Sequence, residues 1–247
     1  MDPDSEAFSA PADRALIERL RHEMRSARDP VRAAAQRAYM KSTLPYHGLA
    51  APTLKRLLRP HLAAYSPESR EVWEATIRAM WDQATHREER YAALALARHR
   101  VAREWRDPAS LDLWRHLVVT GAWWDLVDET ASHLAGDVLA RHRSAATPTI
   151  ASWATDDDLW LRRTAVLAQL GHRADTDLGL LTSAIESNLG DRSSWLRKAI
   201  GWALREYART DPAWVLGQVA RWGDLLSPLS RREATKGLDK LDHPEVR

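Results

Sequence analysis

The chain has 247 residues, 45% of them hydrophobic and 28% charged, which is typical of globular proteins and excludes a disordered or fibrous class. It contains no cysteine, which excludes disulfides, thiolate metal sites and a cysteine nucleophile. The formal net charge is only +2, but five of the 36 basic residues are lysines and the rest are arginines. Arginine suits bidentate phosphate contacts, yet a GC-rich genome also produces arginine-rich chains, so composition leaves both explanations open.

The N-terminal segment, the hydropathy and the lack of cysteine predict a cytoplasmic protein, and the arginine-rich composition indicates a bacterium with a GC-rich genome. The first six residues are acidic, unlike a signal peptide, and no run of about 18 apolar residues occurs. Small residues together with Pro3 and Pro11 predict a flexible tail over residues 1–12. Residues 13–247 are then expected to form a single domain.

Helix signals recur along the whole chain, and strand signals are nearly absent. Near the N-terminus, Leu16, Leu20 and Met24 share one helical face. A capping residue followed by proline, the pattern of a helix start, occurs six times. These pairs are Asp29-Pro30, Ser66-Pro67, Asp107-Pro108, Thr147-Pro148, Asp211-Pro212 and Ser227-Pro228. The sequence therefore predicts an all-α protein of about a dozen helices joined by short loops.

An internal repeat organises the second half of the chain. Residues Trp160–Val166 align with Trp195–Gly201, 35 positions later, and Trp124 lies one unit before Trp160. A period of 35–36 residues suits two helices and their turns, the unit of a HEAT-like solenoid. In such a solenoid, equivalent positions of successive units line up along one surface.

The repeat register gathers a set of chemically distinct side chains. Asp128, Arg163 and Lys198 follow one another at intervals of 35 residues. Trp124 precedes Asp128 by one helical turn, and Trp202 follows Lys198 by one turn, so each pair shares a helix face. Taken singly, these residues would be expected in the core, in a salt bridge or in solvent. Because they share one repeat register, a common functional surface is as well supported as these separate structural roles.

Cofactor and metal motifs are absent from the sequence. There is no phosphate-binding glycine motif, no His-Glu-x-x-His, and no nucleophilic serine elbow. The acidic run at residues 156–158 stands before a predicted helix, where negative charge complements the helix dipole. We therefore expect neither a cofactor nor a metal site.

Several of these blocks resemble the AlkD family of DNA glycosylases. Trp123–Asp128 resembles the Trp-Trp-Asp-x-Val-Asp motif of that family, and Lys198–Tyr207 resembles its longest and most specific motif. The resemblance runs in the same order over about residues 36–240. Its shorter blocks are Tyr39–Lys41, Arg87–Glu88 with Tyr91–Ala92, Trp160–Arg163 and Leu229–Ala234.

The resemblance implies a fold and a function. The family has HEAT-like repeats curved into a C with DNA on the concave face, which agrees with the repeat found in the sequence. Its members excise cationic N3- or N7-alkylated purines, such as 3-methyladenine and 7-methylguanine, without drawing the base into a pocket. Some relatives in antibiotic producers remove bulky genotoxin adducts as self-resistance, and others only bind DNA. The likeness implies duplex DNA as the partner of a monomer, without a cofactor.

Site residues carry over from the resemblance one by one. The catalytic aspartate of the family falls on Asp128, its two active-site tryptophans fall on Trp124 and Trp202, and its phosphate-binding arginine falls on Arg163. Lys198 is expected to contact a second phosphate. Tyr39 and Lys41 are expected to contact DNA near the N-terminus, and the spacing from Tyr39 to the Trp-Trp motif differs from that of the family.

Two departures and two alternatives accompany the likeness. Residues 45–48, Pro-Tyr-His-Gly, replace a segment that is richer in phenylalanine in the family, and Ser194–Leu196 replaces a common aromatic pair. The main alternative is a non-catalytic HEAT-repeat protein that binds DNA structure; a scaffold for another protein is a further alternative. A non-catalytic relative is expected to have lost at least one of the four residues Trp124, Asp128, Arg163 and Trp202, whereas this chain keeps them all. With no reason to assign a Schiff base to Lys198, the expected enzyme is a monofunctional glycosylase.

Overall fold

The protein is described by a computed structural model over residues 10–238. Within those residues the chain forms fourteen α-helices and no strand, which confirms the all-α prediction. The helices are α1 (Arg14–Ser26), α2 (Pro30–Met40), α3 (Ala51–Ala64), α4 (Arg70–Asp82), α5 (Arg87–Arg98), α6 (Leu111–Gly121), α7 (Trp124–Thr130), α8 (Gly136–Arg141), α9 (Arg143–Trp153), α10 (Leu159–Leu167), α11 (Leu178–Glu186), α12 (Ser194–Tyr207), α13 (Pro212–Trp222) and α14 (Pro228–Thr235).

The chain divides into two compact units, with the boundary between Trp105 and Arg106. Unit 1 contains α1–α5 and unit 2 contains α6–α14. The single domain expected over residues 13–247 stays a prediction. Of the tail expected over residues 1–12, residues 1–9 lie outside the described part of the chain. No helix of residues 10–238 has both the length and the apolar character needed to cross a membrane.

Tryptophan supplies much of the core in each unit. In unit 1, Trp73 and Trp81 on α4 are fully buried. In unit 2, Trp114 on α6 is equally buried. Large rigid rings that are withdrawn from water dominate the energetics of such cores. These three tryptophans therefore have a structural role.

Capping residues define most of the helix starts that the sequence predicts. Asp29, Asp211 and Ser227 accept hydrogen bonds from backbone N–H groups in the first turns of α2, α13 and α14. Asp158 caps α10 in the same way, accepting from two N–H groups, so the acidic run is a helix start as expected.

The Thr147-Pro148 prediction was wrong, and the Ser66-Pro67 prediction was early. α9 begins at Arg143, and exposed Pro148 lies inside it. α4 begins at Arg70, where Ser69 is the capping residue. A local Ser/Thr-Pro pair therefore indicates a helix without fixing its first residue.

Successive helices of unit 2 are joined by contacts that repeat with the period found in the sequence. Side-chain hydrogen bonds join residues 33–36 positions apart throughout the unit. The joined pairs are Asp128 and Arg163, Gly136 and His172, Ala154 and Asn188, Glu186 and Trp222, and Arg197 and Ser230. Nearest-neighbour contact of this kind is what a helical repeat solenoid predicts.

A turn of π-helix interrupts the longest helical segment of unit 2. α7 runs into a π-helical turn at Ala131–Ala135, which continues directly into α8 with helical backbone at both junctions. Such single-turn π segments occur often at functional sites because they re-aim the side chains around them. Asp128 lies three residues before this turn, and its carbonyl accepts a hydrogen bond from the Ser132 hydroxyl at 2.7 Å.

Candidate active site

An open cleft of about 460 Å³ lies in unit 2 between the α7 segment, the turn after α10, and α12. It is the setting for three of the residues singled out in the sequence, Trp124, Asp128 and Trp202. Ten residues line it: Trp124, Asp125, Asp128, Glu129, Ser132, His133, Leu170, Gly171, Trp202 and Glu206.

The helices place the two tryptophans and the aspartate as the sequence spacing predicts. Trp124 is the first residue of α7, and Asp128 follows one turn later on the same face. Trp202 reaches the cleft from the middle of α12. All three residues are largely buried but keep some exposure, so each combines a fixed position with access to the cleft.

Asp128 is held by a bidentate pair with Arg163. Nε of Arg163 donates to Oδ1 of Asp128 at 2.6 Å, and Nη2 donates to Oδ2 at 2.8 Å. Nη1 of Arg163 donates to the backbone carbonyl of Trp195. The Arg163 side chain is only 6% exposed and that of Asp128 14%. The repeat register thus brings these residues together, and in this arrangement the guanidinium faces the aspartate and a carbonyl.

Burial raises the pKa of the Asp128 carboxyl above its usual value of 3.8, and the charge of Asp125 acts in the same direction. The hydrogen bonds and charge of Arg163 oppose this rise. Taking a carboxylate out of water penalises its charged form, whereas a nearby cation favours that form. The result is a carboxylate whose ionisation depends on its partner.

Further carboxylates surround Asp128 in the cleft. Asp125, Glu129 and Glu206 all line it, and Glu129 lies 3.7 Å from the imidazole of His133. Sequence reasoning missed Glu129, Ser132, His133 and Glu206, although Glu206 follows Trp202 by one helical turn. The available signal was this i, i+4 spacing from residues already singled out. An acidic, aromatic cleft favours a cationic ligand.

Three other tryptophans of unit 2 form a cluster and are not among the lining residues of the cleft. The rings of Trp123, Trp160 and Trp195 lie with centroids 5.3–6.2 Å apart at tilted angles. Trp160 and Trp195 are the repeat-related pair, but the third member is Trp123 rather than Trp124. Trp123 precedes α7 in extended conformation, so its ring leaves the chain in a different direction from that of Trp124. The same Trp195 offers the carbonyl that holds Arg163.

The remaining predicted DNA contacts are exposed. Lys198 lies on α12 one turn before Trp202 and is not among the lining residues of the cleft. In unit 1, Tyr39 near the end of α2 is 79% exposed, and Lys41 ends that helix in left-handed conformation. Tyr39 also borders an apolar hollow of about 480 Å³ within unit 1. Each of these contacts stays a prediction.

Unit 1 contains one group of side chains that could hold a metal ion, among the residues that the structure describes. His47, His86 and Glu89 bring their ligand atoms within 4.8 Å of one another. No metal pattern in the sequence predicted this group, because His47 is far from the other two along the chain.

Comparison with known proteins identifies the family. The sequence profile of the DNA alkylation repair enzyme family matches residues 20–238. The chain belongs to this family. A solved structure described as a predicted DNA alkylation repair enzyme from Enterococcus faecalis has a TM-score of 0.77 and 31% sequence identity. The match covers 86% of this chain and 97% of the other. A comparison with curated proteins found no match.

Membership of the DNA alkylation repair enzyme family assigns the protein to DNA repair, with DNA as its partner. The cleft that contains Asp128 lies within the matched residues, as do the predicted DNA contacts Tyr39, Lys41 and Lys198.

Proposed function

We propose that the protein is a monofunctional DNA glycosylase that hydrolyses the N-glycosidic bond of cationic N3- or N7-alkylated purines in duplex DNA. The observation that carries this proposal is the cleft in which Trp124, Asp128 and Trp202 converge. A carboxylate and two aromatic side chains in one cleft suit a positively charged reacting centre. The protein would act as a monomer, and the reaction needs no cofactor.

The substrate itself supplies part of the driving force. An alkylated purine already carries positive charge, so it departs as a neutral base without a general acid. The electrons of the glycosidic bond leave with the purine, and the deoxyribose becomes an oxocarbenium-like cation. Water then adds to the anomeric carbon and gives up a proton, which Asp128 accepts in this proposal. A neutral purine leaves too slowly for one carboxylate to rescue.

The pairing of Asp128 with Arg163 sets the size of the electrostatic contribution. A carboxylate about 4 Å from the sugar cation at an effective dielectric of about 20 attracts it by about 4 kcal/mol. A guanidinium about 8 Å away opposes this by about 2 kcal/mol. The net effect of about 2 kcal/mol corresponds to a rate gain of about 30-fold. Each tryptophan face adds about 0.5–2 kcal/mol by cation–π contact.

Arg163 orients the carboxylate in this proposal. The two bonds from Arg163 occupy one lone pair on each oxygen of Asp128, and each oxygen keeps another for water. Because these two coplanar hydrogen bonds already fix the carboxylate, it needs no reorganisation when the sugar cation forms. The phosphate contact expected of Arg163 would then require the guanidinium to share its remaining donors.

No lysine is among the cleft-lining residues of the described chain, which supports hydrolysis without a Schiff base. An enzyme that also cleaves the strand would need an amine of lowered pKa beside the sugar. Borohydride should therefore trap no covalent complex between the protein and DNA that contains 7-methylguanine. A trapped complex that disappears in Lys198→Ala would contradict the monofunctional assignment.

The decisive experiment measures release of 7-methylguanine and 3-methyladenine from methylated duplex DNA by wild type and Asp128→Asn. We expect Asp128→Asn to lose the attraction of about 4 kcal/mol, a fall of up to about 1000-fold, with DNA affinity kept. Asp128→Asn leaves the Arg163 charge buried, so the double variant Asp128→Asn/Arg163→Gln serves as a neutral control. It should lose only about 30-fold through electrostatics.

Two outcomes would count against the proposal. Release by Asp128→Asn at the wild-type rate would remove Asp128 from the chemistry. Binding without release of either base by wild type would favour the alternative, a non-catalytic protein that binds DNA structure. Repeating the assay with DNA that carries a bulky cationic purine adduct distinguishes that alternative from a specialised self-resistance enzyme.

A further inference from the structure

A cluster of two imidazoles and one carboxylate lies in unit 1, apart from the residues of the cleft. His47 precedes α3 in the segment between α2 and α3, while His86 and Glu89 stand at the start of α5. His86 Nδ1 lies 3.7 Å from Glu89 Oε1, and His47 Nε2 lies 4.0 Å from the same oxygen. The three ligand atoms lie within 4.8 Å of one another.

The ring of His47 provides a second, independent observation. The residue is only 4% exposed, and its Nε2 is fully buried with no hydrogen-bond partner. A buried polar atom without a partner is costly, so it calls for an explanation such as an ion. This atom faces Glu89 Oε1, at the centre of the cluster.

The protein holds the three ligands on elements that are already fixed to each other. The carboxylate of Glu88 accepts the backbone N–H groups of His47, Gly48 and Leu49 at 2.9–3.1 Å. This clamp joins the segment that carries His47 to the first turn of α5. Glu88 lies between His86 and Glu89 in the sequence. The first turn of α5 therefore carries two of the ligands and, through Glu88, also fixes the segment that carries the third, His47.

A hydrogen bond to Oε2 of Glu89 orients its other oxygen, the proposed ligand Oε1. Nε of Arg21 on α1 donates to Glu89 Oε2 at 2.9 Å, which leaves Oε1 toward the two rings. The hydroxyl of Thr85 donates to Oε1 at 2.7 Å and lies 3.0 Å from His86 Nδ1. A partner that fixes a ligating carboxylate from outside is a common feature of metal sites.

We propose that His47, His86 and Glu89 bind one Zn²⁺ ion, or another late first-row divalent metal ion of the same ligand preference. Two imidazole nitrogens and one carboxylate oxygen are ligands that Zn²⁺ accepts, with an exchangeable fourth position. Mg²⁺ and Ca²⁺ prefer all-oxygen sites and would be excluded. The ion would join the segment that carries His47 to the start of α5, which gives it a stabilising role.

Binding requires a small rearrangement of the two rings. They are stacked with centroids 3.8 Å apart and planes 8° from parallel, so their lone pairs run side by side. Tetrahedral Zn²⁺ places its ligand atoms about 3.3 Å apart, so the rings must fan open and close on the ion. The side chain of His86 is 31% exposed, which gives it room to turn and provides the entry path.

The test uses tag-free full-length protein, stripped of metal with a chelator, and titrated with ZnCl₂ by calorimetry and with CoCl₂ by visible absorption. We expect one equivalent to bind, a Co²⁺ absorption spectrum typical of low coordination number, and a rise of several degrees in Tm with Zn²⁺. MgCl₂ should do none of this.

Three variants decide the assignment. His47→Gln and His86→Gln should each lose stoichiometric binding, whereas His22→Gln, an exposed histidine on α1, should keep it. If His47→Gln fails to fold, His86→Gln decides alone because its side chain is partly exposed. Absence of one-equivalent binding by wild type, or equal binding by wild type and His86→Gln, would overturn the proposal. The residues would then form only a partly buried polar cluster.

Discussion

The Asp128–Arg163 pair is the residue-scale feature that the function depends on most. Its two hydrogen bonds join side chains that are almost fully withdrawn from water. Buried ion pairs rarely add stability over apolar packing, because desolvation cancels most of the attraction. A pair retained at such a cost is better explained by what it positions. Here it holds a carboxylate in an aromatic cleft, at the edge of a π-helical turn.

The raised pKa of Asp128 predicts the acid limb of activity. Only the ionised carboxylate attracts the sugar cation, so activity falls as pH falls through the pKa of this group. Burial places that pKa above 3.8, and the limb should therefore lie above the pH at which an ordinary aspartate titrates. Single-turnover release of 7-methylguanine against pH, corrected for spontaneous acid depurination, measures it. A rate independent of pH down to the ordinary aspartate range would contradict this prediction.

Arg163→Gln should separate the two roles of the arginine. Removing Arg163 leaves Asp128 buried and unpaired, which costs about 3–5 kcal/mol in unfolding free energy. It also removes the influences that lower the pKa of Asp128, so the acid limb moves to higher pH. Because protonation relieves the unpaired charge, the loss of stability should be smaller at about pH 5 than at about pH 8.

Urea unfolding at both pH values tests this prediction about Arg163, with Asp128→Asn/Arg163→Gln as the matched neutral pair. That double variant should recover most of the lost stability at the higher pH. Equal losses at both pH values, or no recovery in the double variant, would mean that Arg163 stabilises the fold by other contacts. If Arg163→Gln weakens DNA binding and does not shift the acid limb of the pH–activity profile, the main role of Arg163 is the phosphate contact.

At the scale of the elements, the sequence predicted what local chemistry decides. The caps at Asp29, Asp211 and Ser227, and the shared face of Trp124 and Asp128, follow from spacing along one helix. Contacts between helices were harder to predict from the sequence. The repeat register aligned Asp128 with Arg163, but only the packing of α7 against α10 shows them as a pair.

Residues that come together from distant segments could not be predicted. His47 and Glu89 stand on separate elements, and nothing in their spacing indicates that one rests against the other. The π-helical turn after Asp128 could not be predicted either, because no motif in the sequence marks it. The cluster of Trp123 with Trp160 and Trp195 likewise could not be predicted, because it depends on the extended backbone before α7.

The junction of α12 and α14 yields a prediction at the same scale. A Cβ on Gly201 would lie 2.5 Å from the Cβ of Glu233 and 2.8 Å from the carbonyl oxygen of Ser230. Since a carbonyl cannot move aside as a flexible side chain can, Gly201→Ala should cost about 1–3 kcal/mol in unfolding free energy. Urea denaturation measures this cost.

Gly217→Ala on α13 is the matched control for Gly201→Ala. Nothing lies within 4 Å of a Cβ at Gly217, so alanine should stabilise the helix by about 0.5–1 kcal/mol. The two substitutions are chemically identical and should act in opposite directions. If both stabilise the protein, α12 and α14 are not packed as closely as the structure has them.

At the scale of the whole molecule, charge constrains how the protein can bind DNA. A formal net charge of +2 provides little overall attraction to a polyanion. The cleft itself is acidic, with four carboxylates among its lining residues. DNA affinity must therefore come from local cations outside the cleft. Each phosphate contact that such a cation makes should then contribute to the salt dependence of the binding constant.

Lys198→Ala and Lys41→Ala should each lower the slope of log K against log salt concentration by about 0.9, because each removes one phosphate contact on duplex DNA. Both residues are exposed, so neither substitution should disturb the core. Lys236→Ala makes the same charge change at an exposed position without a predicted contact, and its slope should match wild type. Fluorescence anisotropy with an undamaged duplex over a range of KCl concentrations gives the slopes. Equal slopes for all four proteins would remove Lys198 and Lys41 from the DNA interface, and binding insensitive to salt would contradict phosphate recognition altogether.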